Sequence, residues 1–246
     1  MNRKTIVTAV AMLACGAALA TVETTNTLCR IRIDSDRKET ILSIPLITVG
    51  TDGSASSKID VTKYVLTDGL SEGDKLQKRS NGKWESWTFN GTTWEGNTTA
   101  SGNEVAVTGS ELPLGDCIRL IRSDTTKPIY LYGELPKNPA KTQTASAGVW
   151  TMLGNVKPEA VSLSTFTEKC TVKPASGDAI CLWANNSSKT QMYTYNGTNW
   201  EAKTWSVDAN GVLSATKTNC DSVEISAGEG FWYVRKSGDA LSVNWQ

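Results

Sequence analysis

The sequence predicts an all-β protein of two tandem modules, each a β-sandwich or a partly open barrel, after an N-terminal signal peptide. Three observations lead to this prediction. A seven-residue motif occurs twice, as FNGTTWE at residues 89–95 and as YNGTNWE at residues 195–201. Short apolar runs separated by Gly, Asn, Asp and Ser fill both halves of the chain, without a convincing helical period. The first twenty residues have the composition of a secretory signal.

Residues 1–20 are interpreted as a signal peptide that is cleaved after Ala20. A positively charged start, an apolar run over residues 5–17 and small residues up to Ala20 are typical of such segments. An alternative makes Cys15 the lipidated first residue of a lipoprotein, but the residues before it match a lipobox poorly. We therefore expect a secreted protein, periplasmic, extracellular or at the cell surface, with no transmembrane segment in the mature chain.

Composition argues against two large classes of function. The chain has 25 lysines and arginines against 25 acidic residues, interspersed along the sequence, so it lacks the basic face that nucleic-acid binding requires. It contains no histidine, which removes the commonest general base, the usual serine and cysteine triads and imidazole-based zinc sites. We expect no nucleic-acid partner, no metal and no other cofactor, and we expect the protein not to be an enzyme.

Each copy of the repeated motif contains an Asn-Gly pair flanked by alternating apolar residues, which predicts a two-residue hairpin turn at Asn90-Gly91 and at Asn196-Gly197. The similarity continues outward from the turns. GDKLQKR at residues 73–79 aligns with GDAICLW at 177–183, and PLGDCIRLIR at 113–122 aligns with SAGEGFWYVR at 226–235. A repeat of about 100 residues indicates tandem domains rather than a solenoid.

The predicted organisation is a signal peptide at 1–20, a β module at 21–135, a linker at 136–145 and a second β module at 146–246. The linker is assigned from its polar composition and its prolines. The best helical candidate in the chain is residues 156–166, where Pro158 would start the helix.

Several of these segments together resemble a family of uncharacterised secreted and surface proteins of bacteria with tandem β repeats. Their modules open with a segment like ILSIPL at residues 41–46, continue through a GD and a YNGxxW segment, and close with a segment like AGEGFWYV at 227–234. The resemblance covers nearly the whole mature chain. It implies the fold and the secretion but no activity, because its motifs are structural.

Nine tryptophans raise the question of sugar binding, since an exposed indole face matches the apolar face of a pyranose. Trp84, Trp87 and Trp205 are the candidate ligand-binding residues. Trp84 and Trp87 are three apart, so they lie on opposite faces of one strand and at least one of them faces outward. The residues predicted to form the core of the repeat are Trp94, Trp200, Phe231 and Trp232.

The cysteines predict disulfides, because a secreted protein folds in an oxidising compartment. Keeping each bridge within one module pairs Cys29 with Cys117 and Cys170 with Cys220. Cys181 lies among apolar residues of a predicted strand, and it is predicted to be a buried free thiol, with an intermolecular disulfide as the alternative.

Three functions stay open from the sequence. The leading hypothesis is a non-catalytic structural or interaction protein at the cell envelope or outside the cell, with envelope proteins or polysaccharide as partners. The second is a carbohydrate-binding protein that uses exposed tryptophans. The third is a carboxylate-dependent hydrolase, for which Asp74 with Glu95, or Asp178 with Glu201, would supply the acids. Turn chemistry favours a structural role for both Gly-Asp pairs, and DSD at residues 34–36 lacks full calcium-loop spacing.

Overall fold

The computed structural model describes residues 27–33, 39–47, 58–60, 62, 69–80, 82–125, 127–136, 141–183, 190–207, 210–211 and 213–245. The predicted signal peptide, the DSD segment and residues 137–140 of the predicted linker lie outside the described residues. Antiparallel strands dominate the rest, which confirms the all-β class.

The first half of the chain contains ten strands: β1 (Thr27–Ile33), β2 (Glu39–Ser43), β3 (Lys58–Asp60), β4 (Lys75–Ser80), β5 (Lys83–Phe89), β6 (Trp94–Gly96), β7 (Glu104–Val105), β8 (Glu111–Pro113), β9 (Cys117–Ile121) and β10 (Ile129–Leu135). The second half contains β11 (Thr142–Ala145), β12 (Trp150–Gly154), β13 (Val161–Ser162), helix α1 (Leu163–Lys169), β14 (Cys170–Val172), β15 (Ala179–Trp183), β16 (Thr190–Tyr195), β17 (Trp200–Val207), β18 (Leu213–Asn219), β19 (Glu224–Ile225), β20 (Gly230–Val234) and β21 (Leu241–Asn244).

Each half is built on one large sheet. The first sheet has the order β2-β9-β4-β5-β6, with β7 added alongside β5, and the second has the order β12-β20-β15-β16-β17-β18. Counted from the opening strand, the first five positions of the two sheets correspond in connectivity. Smaller pairings correspond as well: β3 pairs with β8 as β13 pairs with β19, and β1 pairs with β10 as β11 pairs with β21.

One face of each sheet covers a hydrophobic core. The core of the first half includes Leu42, Leu76, Trp87, Ile118 and Leu120, which strand alternation brings to the same face. The core of the second half is more aromatic and closes around the side chains of Phe166, Trp200, Phe231, Tyr233 and Trp245. Each half therefore buries its own apolar interior.

The two halves also pack on each other. Gly154 and Gly230 are cross-strand partners in the second sheet, and they lie against the face of the first sheet opposite its core. A Cβ at Gly230 would come within 2.4 Å of Ile41, and one at Gly154 within 2.4 Å of Ser43. The Ser43 amide donates to the Gly228 carbonyl at 2.9 Å. Only glycine allows this close approach of the two sheets.

The two Asn-Gly turns differ from the prediction. Phe89 pairs with Trp94 and Tyr195 with Trp200, so each loop has four residues rather than two. The Asn90 side-chain oxygen accepts the amides of Thr92 and Thr93 at 2.9 and 2.8 Å, and Asn196 accepts equivalent amides in its own loop. The prediction was wrong because it considered the backbone tolerance of Asn and not its side-chain capping.

The helix begins later than the sequence predicted. Residues 156–162 hold a bend and β13, and α1 starts at Leu163 with Ser162 as its N-cap, whose hydroxyl accepts the Thr165 amide at 3.1 Å. Serine is a strong helix-capping residue, which explains this boundary. No helix within the described residues is long and apolar enough to cross a membrane.

Candidate binding cleft between the two halves

The three tryptophans predicted to bind ligand lie in different environments. Trp87 is only 2% exposed, in the core of the first half, so its assignment to a ligand site is wrong. Trp84 is half-buried on the opposite face of β5, as the spacing of the two residues predicted. Trp205 is 61% exposed on β17, opposite Ala215 of β18, on a ribbon that extends beyond the core.

Three of the four predicted core residues contact a hydrophobic core, and the fourth does not. Trp200 and Phe231 are completely buried, and Trp94 is partly buried against the first core. Trp232 does not belong to the core, because consecutive residues of a strand face opposite sides and Phe231 already faces inward. Its ring lies instead between two other tryptophans on the outer face.

These three rings form a continuous cluster that joins the two halves. Trp84 of the first sheet meets Trp232 edge to face at a centroid distance of 6.4 Å, and Trp232 meets Trp150 in the same way at 6.3 Å. Such T-shaped contacts are favourable aromatic geometry. Two guanidinium groups lie over Trp84, that of Arg79 at 5.0 Å and that of Arg119 at 5.4 Å. We call Trp84, Trp150 and Trp232 the aromatic cluster, against which Arg79 lies.

Beside this cluster lies a cleft of about 430 Å³ between the two halves. Its walls are the end of β4 with Arg79, the approach to β9 with Asp116 and Cys117, strand β11, and strand β12 with Trp150 and Met152. The volume falls within the range of roughly 300–1,000 Å³ typical of small-molecule sites. Both halves are needed to form it.

Some polar groups of the cleft already have hydrogen-bond or ion-pair partners within the protein, and others are exposed to solvent. Gln143 donates to the Gly115 carbonyl and accepts from the Trp245 indole at 2.8 Å, so its amide holds the fold together. Lys141 is paired with Asp116 at 3.2 Å. Thr142 and Thr144 flank Gln143 on β11 and are exposed. These threonines, together with Arg79 and Trp150, are the groups that a ligand would meet.

The predicted catalytic acids are not in this cleft, and two of them form buried ion pairs. Asp74 accepts Arg122 Nε at 3.1 Å and the Ser123 amide at 2.6 Å. Asp178 accepts Arg235 Nη1 at 2.7 Å and the Lys236 amide at 2.9 Å. Asp178 also accepts the Tyr233 hydroxyl, and burial together with this hydrogen bond raises the pKa of Tyr233. Both aspartates anchor the start of one strand to the end of another.

The two glutamates proposed as partners of these aspartates belong to the hairpin loops. Asn90 donates to Glu95 at 2.6 Å, and Asn196 donates to Glu201 at 2.6 Å. The Asn196 hydrogen bond is the main reason why the pKa of Glu201 is lowered. Within the described part of the chain, neither glutamate hydrogen-bonds to an aspartate, and each has a role in its own turn.

The two disulfide predictions need correction, whereas Cys181 is the buried free thiol that the sequence predicted. Cys117, Cys170, Cys181 and Cys220 are all buried free thiols, so neither predicted disulfide is formed; the side chain of Cys29 lies outside the described residues. Cys170 donates to the Phe166 carbonyl at 3.2 Å and Cys220 to the Thr218 carbonyl at 3.3 Å. These two thiols thus each hydrogen-bond to a carbonyl of a neighbouring residue in their own segment. Burial raises the pKa of Cys170, which lies in the core of the second half, to about 12. Burial also raises the pKa of Cys117, which disfavours thiolate chemistry in the cleft.

No group of three or more potential metal ligands occurs among the described residues. Comparisons of the chain with protein-family models, with curated proteins and with solved structures find no match.

Sequence reasoning missed the residues that matter most for the cleft. Trp150 stands alone at the start of a strand, and Arg79 ends the segment GDKLQKR that aligns with the second repeat. Arg79 and Trp150 come close only because the two halves pack together. The one sequence feature connected with that packing is the presence of glycine at positions 154 and 230, which pair across two strands.

Proposed function

We propose that this chain is a non-catalytic secreted protein of two copies of one β module, with an interaction role at the cell envelope or outside the cell. The observation that carries the proposal is the different location of the acidic groups and of the aromatic and cationic groups. The candidate acids Asp74 and Asp178 are buried in structural ion pairs, whereas the cleft between the halves presents aromatic and cationic side chains. This distribution suits binding better than hydrolysis.

Support for two copies of one module comes from corresponding contacts. The Asp74–Arg122 pair corresponds to Asp178–Arg235, and in both the oxygen that accepts the arginine also accepts the amide three residues earlier, from Ser71 and Ala175. The matching strand order of the two sheets agrees with this correspondence. A shared buried network of this kind is expected if the two halves descend from one ancestral module.

Carbohydrate binding is the second candidate, and Trp150 favours it. The indole is 52% exposed and is held on one side by Trp232, while exposed Thr142 and Thr144 lie in the same cleft. An immobilised, half-exposed tryptophan beside hydroxyl groups can stack on a pyranose and hydrogen-bond its substituents.

The test is a glycan-array screen of the chain purified after expression with its native N-terminal segment. Trp150→Ala removes the stacking surface, and Trp205→Ala removes an equally exposed tryptophan outside the cleft. We expect saturable binding that is weakened at least about tenfold by Trp150→Ala, equivalent to about 1.4 kcal/mol, and is unchanged by Trp205→Ala.

The outcomes separate the three functions. Release of shortened glycans by the purified protein would contradict the non-catalytic proposal. Binding that is lost in Trp205→Ala but kept in Trp150→Ala would exclude the cleft as the site. If no glycan binds, carbohydrate recognition is rejected and a protein partner is the working hypothesis. Mass spectrometry of the exported protein tests the compartment, since cleavage after Ala20 places Thr21 at the N-terminus.

A further inference from the structure

We propose that the cleft binds an acidic saccharide, in which a pyranose ring stacks on Trp150 and its acidic substituent pairs with Arg79. This inference rests on the carbohydrate-binding candidate above and specifies its ligand class. It is carried by the charges of the cleft, by the bonding state of each charged group and by the aromatic cluster that joins Arg79 to Trp150.

The cleft is cationic. Its lining contains three basic residues, Lys78, Arg79 and Lys141, against one acidic residue, Asp116. A concave surface with an excess of one charge attracts ligands of the opposite charge and concentrates them near the site. Charge complementarity therefore favours an anion over a neutral sugar.

The three cations are not equivalent. Lys141 is neutralised by Asp116 at 3.2 Å, and Lys78 lies 3.9 Å from the buried carboxylate of Glu85. Arg79 is exposed and has no carboxylate within 4 Å among the described residues; its guanidinium lies over the Trp84 ring. Its planar guanidinium has the donor geometry for a bidentate bond to a carboxylate or a sulfate. The arginine is thus the cation that a ligand can reach.

The arginine is also held in place before any ligand binds. Its guanidinium lies 5.0 Å from the Trp84 ring centroid, and Trp84 connects through Trp232 to Trp150. The neighbouring Arg119 lies over the same ring but is committed to Glu39 through two hydrogen bonds of 2.7 and 2.6 Å. Pre-positioned side chains lose less conformational entropy on binding. The cluster therefore fixes a stacking surface and an anion-binding group within one site.

The experiment compares trigalacturonate with neutral galactotriose by calorimetric titration of the full chain, in wild type, Arg79→Gln and the control Lys203→Gln. Lys203 is an exposed cation on β17, so its replacement matches the charge change away from the cleft. We expect trigalacturonate to bind at least tenfold more tightly than galactotriose at low salt. Arg79→Gln should abolish this preference by weakening trigalacturonate far more than galactotriose, whereas Lys203→Gln should leave the affinity for both trisaccharides unchanged.

Several results would overturn the inference. Equal affinity for the two trisaccharides, or an unchanged preference in Arg79→Gln, would reject the acidic ligand and leave carbohydrate binding intact. Inorganic sulfate that binds as tightly as trigalacturonate would show an anion site without saccharide recognition. A sulfated trisaccharide tested beside the uronate distinguishes the two sources of negative charge. If neither trisaccharide binds, the inference fails, and the broader glycan screen decides the proposed function separately.

Discussion

At the scale of single residues, the two buried aspartates explain why catalytic and structural acids are hard to distinguish in a sequence. Asp74 and Asp178 each follow a glycine at the start of a strand, and turn chemistry correctly favours a structural role. Their partners Arg122 and Arg235 lie more than forty residues away along the chain. Only the fold brings each aspartate close to its arginine, and both carboxylates also accept hydrogen bonds from backbone amides.

We expect Asp178→Asn to destabilise the protein strongly. The substitution leaves Arg235 buried without a counter-charge, and breaking such a pair typically costs about 3–5 kcal/mol. Asp74→Asn should have a comparable effect in the first half, whereas the exposed Asp239→Asn should change little. Urea denaturation followed by tryptophan fluorescence measures all three. A loss below about 1 kcal/mol for Asp178→Asn, the scale of a surface pair, would contradict a structural role for this acid.

Trp84 and Trp87 show a second limit of what the sequence predicts for single residues. Alternation along β5 predicted that Trp84 and Trp87 face opposite sides, and they do. The sequence could not say which side was the core, since both faces of this sheet are partly covered. The first sheet carries its own core on one face and the second half of the chain on the other, so an outward residue such as Ile41 is also fully buried.

At the scale of elements, strand positions follow well from the sequence, and turn geometry follows less well. The strands that surround each Asn-Gly pair were predicted from alternation. The loops are longer than predicted because the side chains of Asn90 and Asn196 accept backbone amides and donate to Glu95 and Glu201. Gly91 and Gly197 have φ values of +92° and +106°, a region that disfavours any residue with a Cβ.

Gly197→Ala should therefore destabilise the second half through the backbone alone. A Cβ at this position would meet its nearest neighbour, Ser176, at 3.8 Å, so the substitution creates no clash. Residues held in such sparsely populated regions cost about 1–3 kcal/mol. Gly109→Ala is the matched control, because this glycine lacks a positive φ and has open space around it. Denaturant midpoints that are equal for the two variants would show that the loop relaxes to accept alanine.

At the scale of the whole molecule, the contact between the halves decides both the fold and the candidate site. The sequence indicated two similar halves joined by a polar segment, which gave no reason to expect a tight junction. The junction depends on the Gly154–Gly230 pair, on the Ser43 amide bound to Gly228 and on the ion pair between Lys141 and Asp116. The cleft and its aromatic cluster follow from this packing, which explains why residue patterns did not locate them.

The last prediction tests this junction. Gly230→Ala places a methyl group 2.4 Å from Ile41 Cγ2, and overpacking of this kind typically costs about 1–3 kcal/mol. Ile41→Ala removes the opposing atoms, so the double variant should be more stable than the sum of the two single changes predicts, by about 0.5–3 kcal/mol. Denaturant unfolding of the four chains gives this coupling energy directly.

Ile118→Ala provides the control for that cycle. Ile118 neighbours Ile41 in the first sheet but faces the core of the first half, away from Gly230. Its effect and that of Gly230→Ala should therefore add to within about 0.5 kcal/mol. Additivity in both cycles would mean that the halves do not pack through Ile41, and a cleft formed jointly by the two halves would then lose its structural basis. Coupling confined to the Ile41 cycle requires the close junction, since the two side chains can interact only if the second sheet lies directly on the first.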